Sequence, residues 1–183
     1  MNITVKQAIN ATIYVENIYQ DGSLSSDDLE MVESIPWIGW MQQWLNSIAT
    51  DMQLENCELS LRLTSDRQIQ ELNCQYRSMD KPTDVLAFAA TEADINIPLD
   101  CAEPIYLGDL VISLETAVKQ AKEQQHSIVV ELAWLASHGL LHLLGWDHPD
   151  DRSLKQMLKR QLKLIQLLNL HQNERLPVKK RCN

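Results

Sequence analysis

The chain has 183 residues, of which 45% are hydrophobic, so its size and composition favour one globular domain over residues 1–183. Its formal net charge of −9 at pH 7 argues against a nonspecific nucleic-acid binder, because such a protein normally presents a basic face. The sequence shows no secretory signal and no run of about 20 apolar residues, so we expect a cytoplasmic protein without membrane contact.

The first half of the chain is predicted to mix strands with helices. Trp37–Ile48 carries its apolar residues on one helical stripe, which is typical of a helix that packs on the core. Cys57–Leu63 alternates apolar and polar residues and so indicates a half-buried strand. Ser65 and Gln68 resemble the capping box that begins a helix. The predicted order is a strand over 11–15, a loop over 21–28, a helix over 37–48, a strand over 57–63 and a helix over 65–76.

The second half is predicted to hold two further strands and a helix that is apolar on nearly every side. That helix, Ser127–Leu144, should be buried in the centre of the fold. The predicted order is a turn over 80–84, a strand over 85–88, a loop over 91–104, a strand over 106–112, and helices over 113–125, 127–144 and 151–168. Because strands and helices do not alternate strictly, we expect an α+β fold, with a small mixed β-sheet packed against several helices.

The histidines on and after the apolar helix predict a metal site. His138 and His142 are four residues apart, so they point the same way from a helix. Gly145 can leave the helix in a left-handed turn, which would bring His148 back toward the other two. Three converging imidazoles with no cysteine nearby are typical of a catalytic zinc site whose fourth position is open. Nickel, copper and iron also suit histidine ligands.

The residue after the first histidine separates this pattern from the zinc peptidases. Their H-E-x-x-H motif places a glutamate general base there, whereas this chain has Gly139. A glycine inside a helix costs about 1 kcal/mol relative to alanine, so Gly139 should serve either close packing or access for a substrate. A base must then come from elsewhere, or the metal must ionise water. Asp147 is the nearest candidate base, and the alternative is that it orients a ligand imidazole.

Three ordered blocks of the sequence resemble one protein family. The motif His138–His148 resembles the signature of the endoribonuclease YbeY family, whose members are bacterial rRNA maturation factors. Segments 72–77 and 80–88 resemble the family's second block, and segment 107–113 resembles its third, together spanning about residues 56–168. Ala87 stands where the family usually has serine. Residues 1–50 and the tail beyond about residue 170 fall outside the clear resemblance.

This resemblance implies a single-strand-specific, zinc-dependent endoribonuclease with a zincin-like fold and a central metal-binding helix. It implies one zinc ion per chain, held by His138, His142 and His148. It further implies a role in 3′-end maturation of small-subunit rRNA and in ribosome quality control. The expected partners are rRNA and the small ribosomal subunit, and neither DNA nor a membrane is expected.

The resemblance also implies that Arg77 is important for activity. A guanidinium can stabilise the negative charge that develops on a phosphate, whether water or the substrate's own 2′-hydroxyl is the nucleophile. This function requires a basic cleft around Arg77, which an acidic chain does not itself indicate. The nearest other cations in the sequence are Arg62, Arg67 and Lys81.

Two other functions remain as alternatives. One is a zinc-dependent peptidase or amidohydrolase, against which the missing glutamate at position 139 argues. The other is a non-catalytic ribosome-assembly factor that uses a metal only to stabilise its fold.

Overall fold

The computed structural model describes residues 8–20, 22–52, 54–90 and 103–170. They form an α+β fold, as predicted, and most of the predicted loop over 91–104 lies outside the described residues. The elements in chain order are β1 (Asn10–Asn17), α1 (Ser26–Glu33), α2 (Trp37–Met52), β2 (Asn56–Thr64), α3 (Asp66–Arg77), β3 (Val85–Ala89), β4 (Ile105–Ser113), α4 (Leu114–Gln124), α5 (Ile128–Leu143) and α6 (Asp151–Leu167).

The prediction of a loop over residues 21–28 was wrong at its end, because α1 begins at Ser26. The Ser25 hydroxyl accepts a hydrogen bond from the backbone N–H of Asp28 at 3.1 Å. Asp27 and Asp28 occupy the first turn, where negative charge is favoured by the helix dipole. Serine and aspartate favour both loops and helix starts, so composition alone could not separate the two.

A mixed four-stranded sheet forms the centre of the fold, in the order β1-β2-β4-β3. The first three strands are parallel, and β3 pairs with β4 antiparallel. Alternate residues of β4 enter different hydrophobic clusters: Leu110 and Ile112 belong to the main core, whereas Val111 packs with Ile69 of α3. Helix α3 therefore covers one face of the sheet, and the main core lies on the other.

Helix α5 lies in the main core, where it packs against β3, β4, α4 and α6. Nearly all of its residues are buried, so its apolar character on every side reflects a central position. None of the helices in the described segments is long and apolar enough to cross a bilayer.

Gly139 allows α5 to lie directly on the sheet. A Cβ at this position would lie 2.6 Å from Leu110 Cδ2 of β4 and 3.3 Å from Val85 Cγ2 of β3. The glycine thus serves close packing between the metal-motif helix and the two strands.

We expect Gly139→Ala to lower the free energy of unfolding by up to about 2 kcal/mol, since overpacking of about 1–3 kcal/mol outweighs the gain in helix propensity of about 1 kcal/mol. Gly39→Ala in α2 is the matched control, because its new Cβ would meet only Pro36 Cβ, at 4.0 Å. The control should gain up to about 1 kcal/mol in urea unfolding. Equal stabilisation by both substitutions would contradict the close-packing explanation.

Candidate metal centre and cleft

Three histidine side chains converge at the end of α5. His138 and His142 lie one helical turn apart, and their Nε2 atoms are 3.2 Å from each other. The ring of His148 lies 5.5 Å from the His138 ring and 5.2 Å from the His142 ring, centroid to centroid. One potential ligand atom from each residue lies within 4.8 Å of the others, so the three together could hold a metal ion. The predicted convergence is confirmed.

A tight turn after α5 brings the third histidine back. Gly145 adopts the predicted left-handed backbone conformation, with φ of 81°. Its N–H donates to the carbonyl of His142 at 2.9 Å, and the N–H of Trp146 donates to the carbonyl of Leu141 at 3.0 Å. These two bonds are those of a Schellman motif, which reverses the chain direction at a helix end.

The loop that carries His148 is held against α6. The Arg160 guanidinium lies over the ring of Trp146, 5.1 Å from its centroid, in a cation–π contact. At the far end of the loop, the Asp150 carboxylate caps α6 by accepting the backbone N–H groups of Arg152 and Ser153. Both ends of the loop are thus tied to regular structure, which limits the positions available to His148.

Burial keeps the histidine pair in a form suited to metal binding. Only 5% of His138 is exposed, and burial, followed by the nearby His142 and His148, lowers its pKa to about 4. Burial and the neighbouring His148 also lower the pKa of His142, and Asp147 opposes this shift. Because metal ions bind the neutral imidazole, the residues present fit a divalent cation at neutral pH.

The histidines line a cleft of about 870 Å³ together with side chains from α3, the turn before β3, and α4. Of the four cations clustered in the sequence, Arg77 and Lys81 line this cleft. Arg62 instead pairs with Glu16 on β1, and Arg67 borders a different surface depression.

The cleft also contains acidic residues, so the required basic character is only partly present. The acidic lining residues are Asp84, Glu123 and Asp147.

Arg77 lies at the last position of α3 and reaches toward the cleft. Its Nη2 donates to the backbone carbonyl of Ala87 at 3.4 Å, and its charge contributes to lowering the pKa of His142. The contact on β3 uses the backbone, so the alanine found at position 87 in place of the family's usual serine does not affect it.

Asp147 lines the cleft beside the third histidine. Its Oδ1 accepts the backbone N–H of His148 at 2.7 Å. The carboxylate therefore braces the backbone of the third histidine.

Sequence reasoning assigned no role to Asp84, which lies between the turn and β3. Its Oδ1 accepts the backbone N–H of Val85 at 2.9 Å, and its Oδ2 accepts the Gln120 amide at 3.0 Å. Its negative charge also raises the pKa of His138 against the dominant effect of burial. The sequence signal that could have identified Asp84 is its position as an acidic residue immediately before a buried strand.

Together, the fold and the histidine cluster define an α+β protein with a candidate metal centre. The family model for Endoribonuclease YbeY matches residues 24–169. The match begins earlier than the sequence blocks indicated and includes α1 and α2. The chain belongs to the endoribonuclease YbeY family and is thus an RNA-cleaving enzyme.

Curated relatives agree with this assignment, and a solved structure shares the fold. The chain is 51% identical over 144 residues to an Endoribonuclease YbeY of Trichormus variabilis, covering 78% of this chain and 82% of the relative. It is 46% identical over 167 residues to one of Picosynechococcus, covering 91% and 99%. The solution structure of TM1509 from Thermotoga maritima shares the fold, with a TM-score of 0.52 and 24% identity, over 92% of this chain and 100% of that one.

Because His138 is buried, we predict that the metal-free protein loses stability in mild acid. The pKa of His138 falls from 6.5 to about 4 on folding, so between these values the unfolded chain binds more protons. The unfolding free energy should therefore fall as pH drops from about 6.5 to 4, by up to about 3 kcal/mol from this residue. Urea unfolding with chelator present, compared with His138→Gln, measures the effect. Parallel pH profiles for the two proteins would contradict it.

Proposed function

We propose that this enzyme is a zinc-dependent, single-strand-specific endoribonuclease that acts in the cytoplasm on rRNA of the small ribosomal subunit. Its role would be 3′-end maturation and ribosome quality control. The observation that carries the proposal is one cleft that contains three metal-competent histidines and Arg77. Family membership supplies the class of reaction, and the site supports its dependence on a metal.

His138, His142 and His148 would hold the metal, since their ligand atoms already lie within 4.8 Å of one another. A divalent ion bound there would polarise a phosphoryl oxygen and make water more acidic. Three neutral imidazoles leave the charge of such an ion uncompensated. This local positive charge would allow a chain of net charge −9 to attract a phosphate into a cleft that also contains acidic side chains.

Arg77 would stabilise the charge that develops on the non-bridging oxygens during attack by water or by the 2′-hydroxyl. A guanidinium presents several N–H donors in a planar fork that matches a phosphate. The hydrogen bond to the Ala87 carbonyl occupies one of these donors, and the side chain lines the cleft. Other donors of the guanidinium would bind the substrate.

Asp147 would act as a positioning residue, because its carboxylate holds the backbone of His148. The peptidase alternative gains no support from the site. The position that carries the peptidase base is Gly139, and its surroundings leave no room for a glutamate beside Leu110 and Val85.

Two substitutions separate metal binding from charge stabilisation. His142→Ala should lose both metal and RNA cleavage, because one of three ligands is gone. Arg77→Ala should retain metal and lose about 10²- to 10³-fold in kcat, the usual effect of removing a transition-state donor. Metal content by mass spectrometry and cleavage of matched single-stranded and duplex RNA provide the measurements.

Arg67→Ala is the matched control, since Arg67 is an exposed arginine on the same helix that borders a different depression. It should cleave RNA at the wild-type rate. The proposal fails if metal-free His142→Ala still cleaves RNA, or if Arg67→Ala and Arg77→Ala lose activity equally.

A further inference from the structure

A buried glutamine on α6 lies against the metal-motif helix and has no part in the function described so far. Gln161 is fully buried, and its Nε2 donates to the backbone carbonyl of Trp134 at 2.8 Å. Only the amide nitrogen can donate to a carbonyl, so this bond sets which end of the amide is oxygen. Trp134 precedes His138 by one helical turn, and the glutamine therefore lies beside the first histidine of the motif.

Two buried polar atoms in this region could serve as donor and acceptor of one hydrogen bond. Among the described residues, His138 Nδ1 and Gln161 Oε1 both lack a partner with regular hydrogen-bond geometry. The side chains of Gln161 and His138 nevertheless lie close enough to interact as hydrogen-bonding partners. Leaving a buried polar atom without a partner is unfavourable, and an imidazole N–H and an amide oxygen satisfy each other's requirement.

The opposite ring nitrogen of His138 already faces the histidine cluster, because its Nε2 lies 3.2 Å from His142 Nε2. A neutral imidazole carries one proton, so a proton on Nδ1 leaves the lone pair on Nε2. Ligand histidines generally donate their second ring N–H to an oxygen, which fixes both tautomer and ring orientation.

We propose that Gln161 is a positioning residue of the metal centre, whose Oε1 accepts the Nδ1–H of His138 and thereby presents the lone pair of Nε2 to the ion. This inference rests on the proposed metal binding. The amide performs the task without charge, so it orients the ligand and leaves the positive charge of the site undiminished. One glutamine thus joins two buried atoms of α5 to α6: the Trp134 carbonyl and the His138 ring.

Substitutions at position 161 can separate this role from simple packing. Gln161→Leu removes both the donor and the acceptor, whereas Gln161→Glu keeps an acceptor oxygen and loses the donor to Trp134. Gln156→Leu on the exposed side of α6 is the matched control. The dissociation constant for Zn²⁺ is measured on the full chain by competition with a chromophoric chelator, and the unfolding free energy of each metal-free protein is measured in parallel.

We expect Gln161→Leu to bind Zn²⁺ about 10- to 100-fold more weakly than the wild type. This is the usual effect of removing the hydrogen-bond partner of a metal-ligating histidine. Gln161→Glu should stay within a few-fold of wild-type affinity although it is less stable, and Gln156→Leu should be unchanged. The inference is overturned if Gln161→Leu binds as the wild type does, or if Gln161→Glu binds as weakly as Gln161→Leu, because affinity would then follow packing alone.

Imidazole nitrogen NMR on the zinc-loaded wild type tests the inference without a variant. The proton of His138 should reside on Nδ1 and exchange slowly with solvent. A proton on Nε2, with Nδ1 on the metal, would overturn the assignment of Gln161. A wild-type chain that binds no Zn²⁺ would overturn the proposed function as well, so the two failures are distinguishable.

Discussion

Helix α5 carries two imidazoles within an otherwise apolar segment, and this placement governs how the site is built: His138 is buried and His142 is half-buried. Helix α5 can be apolar on every side only because the sheet, α4 and α6 surround it. The same surroundings disfavour charge on His138, so the ring stays neutral and can serve as a ligand. A buried neutral imidazole still requires partners for both nitrogens. A metal on one side and an amide oxygen on the other would satisfy both.

Close packing and catalytic chemistry are linked at Gly139. The position that holds the general base in zinc peptidases is here pressed against Leu110 and Val85 of the sheet. Seating α5 on the sheet therefore removes the space for a carboxylate next to the first histidine. A hydrolase built in this way would depend more strongly on a bound metal and on charge stabilisation from another element, and α3 places Arg77 in the same cleft.

The positive charge available in the cleft depends on the metal ligands being uncharged histidines. Among the described residues, three acidic side chains and two cationic ones line it, in a protein of net charge −9. A divalent ion on uncharged histidines would supply the positive charge that the chain itself lacks. Hydrogen bonding by an uncharged amide, such as that of Gln161, preserves this charge, whereas a carboxylate in the same place would reduce it.

Features that depend on local geometry could be predicted from the order of residues alone. The helical period aligns His138 with His142, glycine permits the left-handed turn at Gly145, and Ser65 caps α3 as its capping box predicted. Which distant groups meet depends on how the elements pack in three dimensions. The contact of Arg77 with the Ala87 carbonyl and the approach of Gln161 to α5 depend on how helices pack. Period and composition predict which face of a helix is buried, but they do not specify the partner against which it packs.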